Sequence, residues 1–146
     1  MHVAKNISWI SPVVSWFIKG LDVNLDVTPC VEYKDIHAQF SKEWTCANFT
    51  RENAALIGRD ANDNPRYGGT SSDESIVNYV KYAKSLGFKI MFYPMLLIDV
   101  EAKPWRGYLS GTAADIVHFF NKQHGYNNFI LHYAKLVRGL VDAFLI

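Results

Sequence analysis

From Phe88 to Asp99 the chain is apolar with scarcely a break, carrying Ile90, Met91, Phe92, Tyr93, Met95, Leu96, Leu97 and Ile98 in close succession. A strand with one wet face alternates apolar and polar residues, so a run with this little alternation is expected where both faces are covered, as in a parallel sheet. Parallel neighbours need crossover connections, and the flanking sequence supplies them. Upstream, Ser71 can accept from a free backbone N–H while Glu74 reaches back three residues later, a capping box that predicts a helix start. Ile76, Val77, Val80, Ala83 and Leu86 then recur on one face, and Gly87 supplies the stop, which predicts an amphipathic helix from about Asp73 to Leu86.

The same pattern continues downstream. After a loop from Val100 to Gly111, Thr112 with Asp115 opens a second helix bearing Ile116, Val117, Phe119 and Phe120. Gly125 interrupts it, and Asn127 or Asn128 can cap a third helix with Phe129, Ile130, Tyr133, Ala134, Val137 and Leu140. Gly139 lies near its end, and Val141 to Ile146 is the next expected strand. The first half is less regular. Ile10 to Phe17 reads as a strand, with Pro12 tolerable near its entrance. Asp22 to Tyr33 alternates Val23, Leu25 and Val27 with polar residues, as a second extended piece or a hairpin arm would. Lys34 to Arg66 is expected to be loop, with a short helix at Glu52 to Ile57.

Strands alternating with helices indicate an α/β fold built from βαβ units with right-handed crossovers. An open doubly wound sheet and a piece of a closed barrel both fit. Neither a Gly-x-Gly-x-x-Gly nor a Gly-x-x-x-x-Gly-Lys-Ser/Thr string follows any strand, so nucleotide binding has no motif behind it.

Composition narrows the partners. In 146 residues, 15 Lys and Arg oppose 14 Asp and Glu for a net charge of +1, so no global field attracts nucleic acid or an anionic membrane. No stretch approaches the roughly 18 apolar residues of a membrane span, and no signal-peptide pattern opens the chain, so cytoplasmic synthesis is expected. Cys30 and Cys46 lie at no zinc-finger spacing and read as buried free thiols.

In parallel α/β sheets, function collects beyond the C-terminal ends of the strands. That rule draws attention to Trp16, to Tyr67-Gly68-Gly69-Thr70 and to Asp99. Asp99 could serve as a general acid, a base or an acceptor for sugar hydroxyls; equally, it could cap the strand or pair with Arg106. Trp105-Arg106-Gly107 offers an aromatic platform beside a bidentate donor, or a tryptophan plug with a solvated arginine. The paired glycines could bring backbone close to a ligand or simply turn the chain into the helix. His118 and His132 fall on helices and read as core or surface residues, and His37 and His124 have no metal-ligand partner at useful spacing.

Several strings, taken in order, carry a resemblance: Val13-Val14-Ser15-Trp16-Phe17, Tyr67-Gly68-Gly69-Thr70-Ser71-Ser72-Asp73, Phe92-Tyr93-Pro94 with Asp99, Pro104-Trp105-Arg106-Gly107, His132-Tyr133-Ala134 and Val141-Asp142-Ala143-Phe144-Leu145-Ile146. Together they resemble the glycoside-hydrolase-like TIM-barrel domain of gene transfer agent and phage tail baseplate hub proteins, sometimes called megatron proteins. The resemblance implies a partial (β/α)8 barrel of roughly the first four βα units. Residues 1–146 would then be the N-terminal part of that domain, with a weakly ordered loop region at about 34–66.

The resemblance also implies a function. Family members continue past the last string with Gly-Ser-Glu, and that Glu would stand where such barrels carry their acid/base; the chain stops at Ile146, which suggests truncation. With Asp99 as the candidate catalytic carboxylate and Trp16, Tyr67, Trp105 and Arg106 as candidate sugar contacts, it lacks the two carboxyls that glycoside hydrolysis needs. The expectation is a tail-associated fragment, structural or glycan-contacting and not hydrolytic by itself, without cofactor or metal. Its expected partners are other baseplate proteins and a bacterial cell-wall glycan, with self-association through open sheet edges. Full-length relatives would sit in a virion-like tail particle. Two alternatives stand beside it: a cell-wall glycoside hydrolase when completed or self-associated, and a stand-alone flavodoxin-like binding domain.

Overall fold

The computed structural model describes residues 6–35, 43–101, 105 and 107–146. In chain order the elements are β1 (Trp9–Ile10), β2 (Val13–Ile18), β3 (Val27–Thr28), β4 (Cys30–Val31), β5 (Thr45–Cys46), β6 (Phe49–Thr50), β7 (Ala55–Leu56), α1 (Asp73–Ser85), β8 (Lys89–Ile98), α2 (Ala113–Asn121), α3 (Tyr126–Leu136) and β9 (Ala143–Phe144).

The apolar run forms β8, the centre of the main sheet. β1 and β2 pair parallel to one side of it, with Val13 opposite Tyr93 and Ile18 opposite Ile98. β9 pairs parallel to the other side, Met91 opposite Ala143. Outside β2 lies β3, antiparallel to it. Two small sheets, β4 with β7 and β5 with β6, stand apart. Pro94 fits inside β8 because Tyr93 N–H faces β2, donating to the Pro12 carbonyl, while Phe92 accepts from Leu145 on the opposite side. The proline's missing N–H therefore falls on the β9 side, beyond that strand's last paired residue.

The helices follow their local chemistry. α1 is capped by Ser72, whose side chain accepts from Ser75 N–H, one residue later than the expected Ser71 cap. Gly87 ends it at φ +88°, a conformation that costs a residue with a Cβ. α2 carries the full Thr112–Asp115 capping box. α3 has Gly125 at its N-cap rather than Asn127 or Asn128; those amides sit in its first turn and reach back to Asn121, Lys122 and Gln123. A Cβ on Gly125 would lie 2.4 Å from the Phe119 carbonyl oxygen, so the α2–α3 junction is closed by close approach. No helix forms at Glu52 to Ile57: β7 occupies part of that stretch, and its Leu56 pairs with Val31.

The main core brings Ile76, Val80 and Ala83 of α1, Phe119 of α2, and Phe129 and Tyr133 of α3 against Val14, Trp16, Ile18, Ile90, Phe92 and Ile98. Each Val, Ile or Phe side chain so buried contributes roughly 1.5–3 kcal/mol relative to its exposure. All these strand residues are even-numbered and share one sheet face. On the other face Met91, Tyr93, Met95 and Leu97 remain half-buried. There a smaller cluster of Phe17, Cys30 and Ile57, with Ala55, Tyr67 and Leu97 against it, includes no helix residue.

These findings overturn the expected partial (β/α)8 barrel. In such a barrel each strand is followed by a helix and neighbours the next strand in parallel. Here five two-residue strands and a single helix lie between β2 and β8, β3 runs antiparallel, and seven of the nine described strands have only two residues. The molecule is a mixed α/β domain of short strands in small sheets. The apolar run is explained by one helix-packed face and one half-exposed face. No helix among the described residues is long and apolar enough to cross a membrane.

Candidate functional site

The parallel register puts Lys19 beside Asp99, since each follows a paired residue, Ile18 or Ile98. The Asp99 side chain is fully buried and forms an ion pair with Lys19 Nζ through Oδ2. Gly58 N–H donates to the same oxygen at 2.8 Å, and Tyr67 O–H donates to Oδ1 at 2.5 Å. Burial by itself would raise the carboxyl's pKa, but the donors Lys19, Tyr67 and Gly58 together outweigh it and hold Asp99 below the usual carboxylate value. Tyr67 is pushed the opposite way, first by burial and then by its bond to the carboxylate. Its ring stacks on Phe17 with centroids 5.9 Å apart. A Cβ at Gly58 would fall 2.6 Å from Asp99 Oδ1, so glycine lets the backbone close over the carboxylate.

The Tyr67–Thr70 turn is anchored by protein groups. Gly69 N–H donates to Glu32 at 2.7 Å, and a Cβ there would meet the Cys30 carbonyl at 2.6 Å. Thr70 is buried, donates to the Ser15 carbonyl at 2.7 Å and accepts from Cys30 N–H. Trp105 is exposed and takes no part in this cluster. Arg106, like His37 and Pro104, lies outside the described residues.

Trp16 is elsewhere, on the helix-packed face, where it joins a second constellation. Its indole N–H donates to Tyr133 Oη at 2.8 Å, and its ring lies 5.7 Å from that of His132. The β5–β6 turn passes through Ala47 at φ 52° and directs the Ala47 N–H onto Asp73 Oδ2 at 2.8 Å. The other Asp73 oxygen contacts His132 Nε2 at 2.9 Å. Cys46 Sγ lies 3.6 Å from Tyr133 Oη, and burial, with the Asp73 charge adding to it, pushes its thiol up to about 12. The ligand atoms of Cys46, Asp73 and His132 all lie within 4.8 Å of one another.

Trp16, Ala47, Asp73 and His132 border a cleft of ≈ 490 Å³, with Cys46 and Tyr133 buried behind them. Its walls combine Trp16, Phe49 and Leu131 with the amides of Asn48, Gln123 and Asn128. Among the described residues, Asp73 is the lone carboxylate of its lining, and Asp99 is not part of it. Of the residues singled out in the sequence, the structure thus joins Asp99 with Tyr67 and sets Trp16 at the separate cleft. Cys46, His132 and Asp73 read singly as a buried thiol, a core or surface histidine and a helix start, and the sequence does not connect them because they come from a hairpin, the middle of one helix and the start of another. No local spacing could reveal them.

Neither the protein-family models nor the curated proteins searched contain a match to this chain.

Proposed function

We propose that this chain is a glycan-contacting module without hydrolytic activity of its own, and that the cleft beside Trp16 receives the sugar. The cleft's lining carries this reading. Pyranose rings present apolar C–H faces that pack on aromatic rings and a rim of hydroxyls that exchange hydrogen bonds with amides, carboxylates and imidazoles. Phe49 supplies such a ring, while Asn48, Gln123 and Asn128 supply amides within a volume of ≈ 490 Å³, inside the usual range for small-molecule pockets. Hydrolysis needs two carboxyls roughly 5–10 Å apart, and among the described residues the cleft lining has one. Asp99, ionised and accepting from three donors, is poorly suited to donate a proton. The resemblance of the sequence strings to phage tail and gene transfer agent baseplate proteins supports a bacterial cell-wall glycan as the ligand class and a tail baseplate as the setting.

The test is retention on bacterial peptidoglycan, with reducing ends assayed in the supernatant and binding of soluble muropeptides followed by calorimetry. Retention without release of reducing ends is expected. The exposed Asn48 and Gln123 bear little on folding, and replacing both with Ala should weaken binding about tenfold, from two hydrogen bonds of ~0.5–1.5 kcal/mol each. Absence of retention, or retention undiminished in the double variant, overturns the cleft as the glycan site. Release of reducing ends overturns the claim that the chain is not hydrolytic.

A further inference from the structure

We propose that Cys46, Asp73 and His132 form a three-ligand site for a divalent transition metal of the zinc type, with the fourth coordination position open to the cleft. The proposal does not rest on the glycan reading, because a metal can bind with no sugar present.

Three separate elements deliver one ligand atom each: Cys46 from β5, Asp73 from the first position of α1 and His132 from α3. A sulfur, an imidazole nitrogen and a carboxylate oxygen form a donor set suited to zinc, and three protein ligands with one open position is the pattern of reactive rather than purely structural zinc sites. Metal bonds of roughly 2.0–2.3 Å in a tetrahedron place ligand atoms about 3.3–3.8 Å apart. The three atoms already lie within 4.8 Å of one another, and His132 Nε2 and Asp73 Oδ1, at 2.9 Å, need part by only a few tenths of an ångström, so shifts of side-chain torsions bring the three to metal-binding spacing.

The surroundings prepare each ligand. Asp73 Oδ2 is held by Ala47 N–H, leaving Oδ1 to coordinate. Tyr133 Oη accepts from the Trp16 indole, so its own hydrogen can point at Cys46 Sγ, 3.6 Å away, and stabilise a thiolate. Without a cation, burial keeps the thiol protonated. A divalent ion changes the balance, since thiolate, carboxylate and metal together are neutral and the site no longer strands a charge in the interior. On binding, the Cys46 proton leaves to solvent and the imidazole proton resides on Nδ1, freeing Nε2. Gln123, Asn128 and Lys135 line the cleft onto which the open position faces, where water or an oxygen of a bound ligand would complete the coordination.

The full chain, stripped with chelator, is titrated with Co²⁺ and then with Zn²⁺ in competition with a chromophoric chelator. One equivalent of Co²⁺ is expected, with the visible bands of a tetrahedral ion and a near-ultraviolet thiolate charge-transfer band. His132→Gln and Asp73→Asn should each weaken binding about tenfold or more while far-ultraviolet circular dichroism shows that they remain folded. If neither variant folds, X-ray absorption on the zinc-loaded wild type decides: one sulfur at about 2.3 Å supports the site. No bound metal, bound metal without a sulfur ligand, or folded variants that bind as tightly as the wild type would overturn it. Peptidoglycan retention measured with and without chelator is scored separately, so a failed metal site and a failed glycan site give different results.

Discussion

Replacing Tyr67 with Phe isolates the hydroxyl that Asp99 accepts. The ring remains, so the stack on Phe17 persists and no cavity opens; what is lost is the bond of 2.5 Å to a buried carboxylate. Hydrogen bonds to charged groups contribute about 1.5–3 kcal/mol. Asp99 keeps Lys19 and Gly58 as donors, which places the expected loss near the lower end, about 1.5–2 kcal/mol. At roughly 2–4 °C per kcal/mol for a domain of this size, the melting temperature should fall by about 3–8 °C. The pH dependence is the sharper part. Asp99 is held below its ordinary value, so its contribution is fully present above the unfolded carboxyl value near 3.9 and is lost as pH falls through the lower folded value. The difference between wild type and Tyr67→Phe should therefore be constant from about pH 7 to pH 5 and shrink in more acid solution. Urea unfolding followed by tryptophan fluorescence across that range measures it. A loss under about 0.5 kcal/mol at neutral pH, or one that persists unchanged in acid, would refute the assignment of Tyr67 as donor to an ionised Asp99.

Other substitutions probe the frame around the two sites. Thr112→Ala removes the capping box of α2 and should cost about 1 kcal/mol in urea unfolding; an unchanged midpoint would show that the cap is not formed in solution. Gly125→Ala drives a Cβ against the Phe119 carbonyl, a backbone atom that cannot swing aside, and should destabilise by about 1–3 kcal/mol in thermal melts. Cys30 and Cys46 are buried, and burial pushes their thiols up to about 11 and about 12, so both should resist a disulfide reagent at about pH 8 until denaturant is added. Rapid labelling of the native metal-free chain would contradict that burial.

Local chemistry was legible where it acts over a few residues. The stop at Gly87, the Thr112–Asp115 box and the apolar run of β8 all appear in the structure as elements or their boundaries. Failures came wherever long-range pairing decides. β4 and β7 are two-residue strands held together by Cys30 opposite Ala55, a pairing without local periodicity, so the stretch that holds β7 looked like loop and short helix. The run in β8 suggested two covered faces, and nothing in it distinguishes the packed even-numbered side from the half-exposed odd one. Asp99 drew attention from its position, but its ion-pair partner among the described residues, Lys19, is eighty residues away in sequence and is brought there by strand register. Likewise, His132 on a helix and Cys46 in a short hairpin had no visible connection until α1 carried Asp73 between them.

The placement of β8 between segments from opposite ends of the sequence gives the domain a definite mechanical character. Traction applied at Asn6 and Ile146 would draw β1 and β2 backward and β9 forward along β8, loading the ladders on both sides in shear. The ladder of β9 spans two residue pairs, whereas on the other side β1 adds two to the six of β2. The joint with β9 is thus the weaker, with the Lys84–Asp142 ion pair and the Ile90 N–H to Asp142 bond as its immediate reinforcement. Under load the C-terminal strand would peel away first, and the sheet on the β2 side, with the Lys19–Asp99 pair at its end, would hold longer.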